Sequence, residues 1–375
     1  MTNAGPPEEP EAKKPWGWAP PPPERVRPTF APPKRSRAPR VAALVVVAAL
    51  VASGVVAVVH QRSHSTHRLR LANGSRATHG PIKPGQPEVL ALSSPRTYPF
   101  SLVAGPDGNM WVTEYGTGRI VKVSGSGKIT EFGAGLPANG GPRGITVGPD
   151  GNLWFAEQVD GVIARMTTSG RVTSFHVGGA PYAITKGPDG NVWFTDFARD
   201  RVGKITPTGR ATEYDFALDS HLFGITAGPD GNLWVSENSR SRIARVTPSG
   251  AITEYTGIHL SPHSITSGAD GNLWFTEDNE RIGRITTAGK ITEFSTAGLP
   301  ISHAGGHGYA TAISSGPDGN LWVTLDDGSI ARVTRNGAFT VFPATHSSPT
   351  GIAFGPGANI WVAAWYDGAV LKIAG

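Results

Sequence analysis

One ten-residue segment recurs along the chain, and this repeat constrains the fold more than any other feature. Gly148–Glu157 reads GPDGNLWFAE, near-copies begin at Gly105, Gly187, Gly228 and Gly268, and looser copies begin at Gly316 and Gly355. The Trp residues of the seven copies are separated by 43, 39, 41, 40, 48 and 39 residues. A period near 40 over seven copies indicates an array of one supersecondary unit.

Each unit contains four short segments with the character of β-strands. In the second unit these are Gly144–Gly148, Leu153–Glu157, Val162–Thr167 and Arg171–Phe175. The Asp-Gly pair between the first two segments suits a tight hairpin turn, which needs positive φ angles. Four strands per unit at this period predict an all-β fold, a seven-bladed β-propeller. A linear solenoid is the alternative, but the sequence shows no distinct polar caps at its two ends.

The two ends of the repeat region predict how the ring closes. The last unit stops at its third strand, AVLKIAG, while an extra strand, Glu88–Leu92, precedes the first unit. We expect this extra strand to complete blade seven as its outermost strand, since closure removes exposed sheet edges. Each repeated Trp is expected to pack between neighbouring blades, where it buries roughly 150–250 Å².

The basic charge of the chain is concentrated before the repeats. Residues 1–86 contain 13 Lys or Arg and 4 Asp or Glu, whereas residues 87–375 contain 21 and 25. The predicted propeller, residues 87–375, is therefore net acidic, and we expect it to bind no nucleic acid. The chain contains no Cys, which excludes disulfides and thiolate chemistry.

The segment before the propeller predicts a membrane anchor. Residues 1–40 are rich in Pro and charge, which is typical of a disordered tail. Val41–Val59 is uncharged over 19 residues, and as a helix it would span about 28 Å of a bilayer. Because more Lys and Arg precede this segment than follow it, we expect a cytoplasmic tail, a single-pass helix in the cell membrane, a linker at 60–86 and an extracytoplasmic propeller. A cleaved signal peptide is the alternative, but the preceding region is long and no A-x-A site follows.

Two sets of residues are expected to meet at one mouth of the ring. In the first five units an acid follows the Trp by three residues: Glu114, Glu157, Asp196, Glu237 and Glu277. Leu325 and Ala364 replace it in the last two units. The first strands begin on the same face, with Phe100, Arg143, Tyr182, Phe223, His263, Thr311 and Thr350. We predict that Arg143, Tyr182, Phe223, Thr311 and Thr350 bind a ligand, and that the acids other than Glu277 only hydrogen-bond nearby loops.

The histidines of the predicted propeller also cluster by position. All seven lie in the connections that lead from a fourth strand into the next first strand: His176, His221, His259, His263, His303, His307 and His346. A general preference of His for long polar loops could explain three of them, but four belong to two adjacent blades. Sites are usually built on loops that a rigid scaffold positions. The sequence therefore favours a site near blades five and six.

The unit PHSITSGADGNLWFTEDNERIGRITTAGKITEF, Pro262–Phe294, resembles the units of the streptogramin lyases, the virginiamycin B lyase family. The resemblance extends over all seven units and stops before the tail, the apolar segment and the linker. Members of that family are seven-bladed propellers that open a cyclic depsipeptide antibiotic by elimination at its ester bond. The resemblance therefore implies a carbon–oxygen lyase that uses Mg²⁺ and a His base and serves in antibiotic resistance.

The resemblance also implies which residues would form the site. The family has a His in a PHAIT pattern of blade six, and here Pro262–Thr266 keeps that pattern in blade five. Blade seven of the family has a Glu-x-His pair and a later Glu, and Ser348, Thr350 and Trp365 stand at those positions here. In the blade that follows His263, Asp326 matches the later Glu.

Three functions remain open from the sequence. The first is a binding or sensor propeller without chemistry, because the family's catalytic residues are only partly present. The second is a divergent metal-assisted lyase, with His263 and His307 as catalytic residues and with Glu277, Asp326 and His303 as ligands of Mg²⁺. The third is an interaction platform at the cell envelope. For all three we expect a monomeric propeller, and for the first two a small-molecule or peptide ligand at one mouth.

Overall fold

A computed structural model describes residues 85–374, except 94–95, 138–139, 279, 300–307 and 343–347. This part of the chain folds into seven antiparallel sheets of four strands each. Blade one contains β2–β5, blade two β6–β9, blade three β10–β13, blade four β14–β17, blade five β18–β21, blade six β22–β25 and blade seven β26–β28 with β1. The prediction of a seven-bladed, all-β propeller is confirmed.

The strands are short and similar from blade to blade. In chain order β1 to β14 are Glu88–Ala91, Pro99–Ala104, Met110–Glu114, Arg119–Val123, Ile129–Phe132, Pro142–Val147, Leu153–Glu157, Val162–Met166, Val172–His176, Pro181–Lys186, Val192–Asp196, Arg201–Ile205, Ala211–Asp215 and Leu222–Ala227. Strands β15 to β28 are Leu233–Glu237, Arg242–Val246, Ile252–Tyr255, Pro262–Ser267, Leu273–Glu277, Arg281–Ile285, Ile291–Ser295, Ala310–Ser315, Leu321–Leu325, Ile330–Val333, Phe339–Phe342, Pro349–Phe354, Ile360–Ala364 and Ala369–Ile373. A short 3₁₀ turn, Pro356–Ala358, precedes β27.

Blade seven closes the ring with a strand from the other end of the repeat region. Strand β1 pairs antiparallel with β28, from Glu88 opposite Lys372 to Ala91 opposite Ala369. The predicted closing strand is therefore confirmed, although it ends at Ala91 rather than at Leu92. The first strands of neighbouring blades pack against each other around the ring, including β2 against β26. The first strands therefore surround the central axis.

Strands begin and end alternately on two faces of the ring. We call one of them the turn face. It carries the turn between strands one and two and the turn between strands three and four of each blade. The opposite face, where first strands begin and second strands end, is the mouth face. On the mouth face of blade two, Pro142 pairs with Glu157, Glu157 with Val162, and Val162 with His176. These pairings place the two predicted sets of mouth residues on one face.

On the turn face, the repeated Asp holds the repeated Trp. In blade three the indole nitrogen of Trp193 donates a hydrogen bond of 2.9 Å to the Asp189 carboxylate. That carboxylate also accepts the Asn191 side chain, and the Lys204 ammonium lies 5.2 Å from the Trp193 ring centre. All seven repeated Trp residues are buried. In this turn only the glycine, Gly190, has positive φ, as a tight turn requires.

The basic residue on the turn face also joins neighbouring blades. Arg165 of blade two donates to the carbonyl of Pro207 in blade three, at 2.8 Å. Lys372 of blade seven donates to the carbonyl of Gly125 in blade one, also at 2.8 Å, and so continues the pattern across the closure. The turn face therefore repeats one set of contacts, which explains why the sequence repeats the residues that make them.

The predicted tail at 1–40, the apolar segment Val41–Val59 and the linker at 60–86 lie outside the described residues, apart from the last two residues of the linker. Within the described part of the chain, no helix has the length and apolar character needed to span a bilayer.

Candidate functional site

The second residue of each first strand lies on the mouth face close to the central axis, and five of the seven side chains are buried there: Phe100, Tyr182, Phe223, His263 and Thr350. The seven are Phe100, Arg143, Tyr182, Phe223, His263, Thr311 and Thr350. His263 therefore lies at the start of a first strand, where the sequence analysis also placed it. A second set consists of the residues that directly follow the second strands: Tyr115, Gln158, Phe197, Asn238, Asp278, Asp326 and Trp365. Side chains of the two sets contact each other and give the mouth its chemical character.

One side of the mouth is a continuous group of aromatic rings, which we call the aromatic arc. Its members are Tyr98, Phe100, Tyr115, Tyr182, Phe197, Phe223 and Trp365. Trp365 stacks on Tyr98 with ring centres 5.1 Å apart and also contacts Phe100 and Tyr115. Tyr182 meets Phe100 and Phe223 edge to face. Such pairs contribute about 0.5–1.5 kcal/mol each beyond the area that they bury.

Arg143 lies inside the aromatic arc. Its guanidinium carbon is 4.5 Å from the ring centres of both Phe100 and Tyr115, and 4.9 Å from that of Tyr182. The Nε of Arg143 donates to the Gln158 side chain at 2.5 Å. Burial raises the pKa of Tyr182 to about 12, although the charge of Arg143 acts in the opposite direction. Tyr182 therefore stays a neutral phenol at physiological pH.

The other side of the mouth is polar, and we call Asn238, His263 and Asp278 the polar arc. The Nε2 of His263 lies 2.7 Å from the Asp278 carboxylate, and the Asn238 amide nitrogen lies 3.2 and 3.4 Å from the two ring nitrogens. The ring of Phe223 meets the imidazole edge to face at 5.1 Å and so joins the two arcs. With partners at both nitrogens, the His263 imidazole is held in one orientation.

The repeated acids turn away from the mouth and contact the loops that lead into their own blades. The Asp196 carboxylate accepts the backbone N–H of Ala180 at 2.9 Å, and Glu237 accepts the Ser220 hydroxyl at 3.1 Å. Among the described residues, neither carboxylate oxygen of Glu157 has a hydrogen-bond partner. The acids therefore occupy buried positions beneath the loops of the mouth face.

Burial changes the protonation of these acids. It raises the pKa of Glu114 and Glu237 to about 7, and it raises the pKa of Glu157 to about 8. For Glu277, burial is the main cause and the neighbouring Glu293 carboxylate adds to it, so that the pKa rises to about 8. Burial also raises the pKa of Asp196, against three backbone hydrogen bonds that lower it. The four glutamates, Glu114, Glu157, Glu237 and Glu277, are therefore partly or mostly protonated near pH 7.

The structure separates members of the predicted metal site that it describes. Glu277 is buried with a carboxylate oxygen against Gly283 of the neighbouring strand, and His263 contacts the next residue, Asp278, instead. The Asp326 carboxylate accepts the backbone N–H of Tyr309 at 2.9 Å. Within the described ranges, no three His, Asp or Glu side chains form a cluster suited to a metal ion. His303 and His307 lie outside those ranges, and the remaining donors do not assemble a site that fits Mg²⁺.

Blade seven contributes structural contacts where the resemblance predicts catalytic groups. The Thr350 hydroxyl donates to the carbonyl of Pro99 in blade one at 2.9 Å, and Trp365 belongs to the aromatic arc. Thr311 of blade six hydrogen-bonds the Thr324 hydroxyl in its own blade at 2.8 Å. Both threonines therefore line the mouth, but each is already engaged in holding strands together.

The sequence analysis missed most of the residues that directly follow the second strands, since it named only Asp326 and Trp365 among them, through the family resemblance. It singled out the acid at each strand end, whereas the next residue along the chain reaches the mouth. The signal was available, because three of these seven positions carry large aromatic residues: Tyr115, Phe197 and Trp365. A strand's alternating pattern puts adjacent residues on opposite sides, so the acid and its neighbour were unlikely to share one role.

The fold and the mouth together define a closed seven-bladed propeller with a divergent central site. A profile of the Virginiamycin B lyase family matches residues 80–179, 137–259 and 179–375, which together span the whole propeller. The chain therefore belongs to the virginiamycin B lyase family. No curated protein matches the chain significantly.

Solved structures agree with this assignment. A streptogramin B lyase is 32% identical, with a TM-score of 0.71 over 76% of this chain and 96% of that chain. Selenomethionine-substituted virginiamycin B lyase from Staphylococcus aureus is 34% identical, with a TM-score of 0.70 over 77% of this chain and 99% of that chain. A catalytically inactive variant of the Staphylococcus aureus enzyme with quinupristin is 33% identical, with the same TM-score and coverage.

Proposed function

We propose that this protein is a ligand-binding or sensor propeller that binds a molecule at its mouth and does not carry out the elimination of its family. The observation that carries this proposal is the composition of blade seven. Ser348, Thr350 and Trp365 stand where the resemblance predicts Glu, His and Glu, and Thr350 and Trp365 are engaged in contacts with blade one. None of these three side chains is a general base of suitable pKa.

The rest of the mouth supports binding. Ligand sites are usually concave and mostly apolar, with a few well-placed polar groups. The aromatic arc supplies the apolar surface, and Arg143 and the polar arc supply the polar groups. Because the rings pack on each other, this surface is formed before a ligand arrives, which lowers the entropy that binding costs.

A divergent Mg²⁺-dependent carbon–oxygen lyase is the alternative, and one observation favours it. His263 and Asp278 form a hydrogen-bonded pair at the mouth, and a carboxylate that orients an imidazole is a common arrangement for a general base. However, the Asn238 amide lies near both imidazole nitrogens, and the described donors do not assemble a metal site. We therefore favour binding over elimination.

For location, we propose a single-pass anchor at Val41–Val59, with the tail at 1–40 in the cytoplasm and the propeller outside. The uncharged apolar run and the Lys- and Arg-rich flank before it support this arrangement. Protease added to intact cells should degrade the propeller and spare the tail. An N-terminally trimmed protein released into the medium would argue for a cleaved signal peptide instead.

Mass spectrometry separates binding from elimination. The full chain is incubated with quinupristin, with and without Mg²⁺, beside the Staphylococcus aureus enzyme as the active control. We expect quinupristin to keep its intact structure with this protein under both conditions. A linearised product that forms with this protein and disappears in the His263→Ala variant would establish the lyase and overturn the proposal.

A thermal-shift screen tests binding itself. We expect small molecules or peptides that raise the melting temperature of the full chain, that fail to do so in the Trp365→Ala variant, and that are recovered unchanged. Ligands that stabilise both proteins equally would place binding elsewhere on the molecule.

A further inference from the structure

Arg143 lacks the counter-charge that the four arginines at the start of third strands have, namely Arg119, Arg201, Arg242 and Arg281. Arg201 pairs with Glu213 at 2.9 Å, Arg281 pairs with Glu293 at 3.3 Å, and Arg119 and Arg242 pair with glutamates in the same way. Among the described residues, no carboxylate lies within ion-pair distance of Arg143. Its positive charge sits among aromatic rings and is only partly exposed.

The guanidinium of Arg143 is also fixed in position. The Gln158 side chain accepts its Nε–H, and a hydrogen bond links it to Tyr182. The rings of Phe100, Tyr115 and Tyr182 surround its plane. A guanidinium has five N–H donors, so about three remain for a ligand. A fixed planar fork of donors matches a carboxylate, which it binds through two parallel hydrogen bonds.

Aromatic surface adjoins this charged group. Tyr98, Tyr115 and Phe197 are half-buried members of the aromatic arc on the mouth face, so part of each side chain remains accessible to a ligand. A ligand whose carboxylate meets Arg143 would therefore place its neighbouring atoms against aromatic rings. Stacking on such rings favours aromatic and apolar groups over polar ones.

We propose that the aromatic arc binds ligands that carry a carboxylate next to an aromatic or apolar group, with Arg143 as the carboxylate receptor. This inference rests on the proposed binding function and names its ligand chemistry. The carboxylate could belong to a free small acid or to the C-terminus of a peptide with an apolar last residue. Both sources present the same chemistry to Arg143.

Calorimetric titration of the full chain tests the charge requirement. Phenylacetate and its neutral counterpart phenylacetamide have the same ring and nearly the same shape. Charged hydrogen bonds contribute roughly 1.5–3 kcal/mol each, which corresponds to about 10–100-fold in affinity. We expect phenylacetate to bind about 10–100-fold more tightly than phenylacetamide. A parallel pair, an acetylated peptide ending in Phe with a free or an amidated C-terminus, distinguishes the two sources.

Three variants assign the preference to one residue. Arg143→Met keeps a long apolar side chain among the rings and should reduce the affinity for phenylacetate to that for phenylacetamide. Arg143→Lys keeps the charge without the planar fork and should recover part of the preference. Arg165→Met is the matched control, because Arg165 lies in the same blade and over aromatic rings, but on the turn face. It should leave both affinities unchanged, and circular dichroism verifies that every variant is folded.

Three results would overturn the inference: equal affinity for acid and amide, a preference for the acid that survives in Arg143→Met, or no saturable binding of either acid. If the amides bind as well as the acids and are recovered unchanged, the carboxylate inference fails while the proposed binding function stands. If quinupristin is linearised, the proposed function fails while the acid preference can still be measured.

Discussion

The turn face and the mouth face of the ring carry the same sequence repeat but use it differently. On the turn face, the Asp–Trp hydrogen bond recurs in the first six blades, with distances of 2.9–3.2 Å. On the mouth face, equivalent positions hold Phe, Arg, Tyr, His or Thr. Every blade packs on two neighbours in the same way, which constrains the turn face equally all round. The residues of the mouth face are not held to one identity by that packing, and their variation is consistent with the proposed binding function.

The two sides of the mouth extend this comparison. The aromatic arc involves blades one, three, four and seven, whereas the polar arc involves blades four and five. A ligand that contacted all blades equally would need a symmetric mouth. The observed asymmetry suits a ligand that has a charged group next to an apolar group at one end. The polar arc could then contact a polar group at the other end of the ligand.

The largest effect is expected from removing a repeated Trp. Trp193→Ala deletes a fully buried ring and should lower the free energy of unfolding by about 3–5 kcal/mol. Urea denaturation measures this loss in the free energy of unfolding. Tyr366→Ala on the mouth face is the control, since Tyr366 is 47% exposed and should change stability by less than about 0.5 kcal/mol. Equal losses in both variants would remove the distinction between the faces.

The second-largest effect on stability is expected from removing the Asp of a repeated turn. Asp189→Ala removes the partner of the buried Trp193 indole, and a buried donor left unpaired costs about 1–3 kcal/mol. The comparison with blade seven sharpens this prediction, because Gly357 stands at the Asp position there. Among the described residues, the indole nitrogen of Trp361 has no hydrogen-bond partner. A loss below 0.5 kcal/mol in Asp189→Ala would show that the repeated hydrogen bond contributes little.

The two faces should respond to pH in opposite directions. Burial alone would raise the pKa of the turn Asp150, but hydrogen bonds from Asn152 and Trp154 outweigh it and hold this pKa below 3.8. Its contribution to stability is therefore present above pH 3.8 and is lost as the pH falls through the lowered value. Burial raises the pKa of Glu157 on the mouth face from 4.5 to about 8, so its contribution is full below pH 4.5 and is lost as the pH rises towards 8.

Melting temperatures between pH 5 and pH 9 test the mouth-face part of this contrast. Glu157→Gln removes a titrating carboxyl while keeping its shape. The variant should lose less stability than the wild type over this range and should melt a few degrees higher at pH 9. An unchanged pH profile would mean that Glu157 is ionised in the folded protein at neutral pH.

The smallest effect is expected from repairing blade seven. Gly357→Asp together with Ala358→Gly restores the repeated turn sequence and moves the glycine to the position where Ala358 now has a φ of 61°. Gly357 itself has a φ of 74°, so the turn must take the conformation of the other blades before the new carboxylate can accept the Trp361 indole. A net hydrogen bond contributes about 0.5–1.5 kcal/mol, so we expect a stabilisation of about 1 kcal/mol by urea denaturation. A destabilised double variant would show that the blade-seven turn is adapted to its own neighbours.

The fold could be predicted from the sequence because its determinants are local and repeated. The Trp recurs in all seven blades and the Asp-Gly turn in six, so that the same packing is specified again and again, and the spare strand Glu88–Ala91 matches the incomplete last blade. The mouth could be located but not described in the same way. Strand order places Glu277 and His263 on one face, yet the direction of each side chain depends on local pleating.

Side-chain direction explains the part of the site that the sequence did not predict. Asp278, one residue beyond Glu277, contacts His263, while Glu277 packs beneath a loop. The aromatic arc joins residues from blades one, three, four and seven, separated by up to 267 positions between Tyr98 and Trp365. These contacts form because the ring closes, and no local sequence pattern predicts them. Contacts across a closed ring therefore need the three-dimensional structure.

The most direct test of the central claim is the free energy of unfolding of Arg143→Met and Arg165→Met, measured by urea denaturation. Both arginines belong to blade two and lie over aromatic rings. Arg165 has a complete set of partners, since it lies 3.5 Å from Asp150 and bonds to Pro207, whereas no counter-charge for Arg143 lies among the described residues.

A partly buried charge without a counter-charge costs free energy, and the hydrogen bonds and ring contacts of Arg143 offset that cost. If the mouth face serves binding and the turn face serves stability, Arg165→Met should lose about 1–3 kcal/mol, and Arg143→Met should stay within about 0.5 kcal/mol of the wild type or gain stability. A loss in Arg143→Met as large as that in Arg165→Met would show that Arg143 serves the fold, and it would contradict the account.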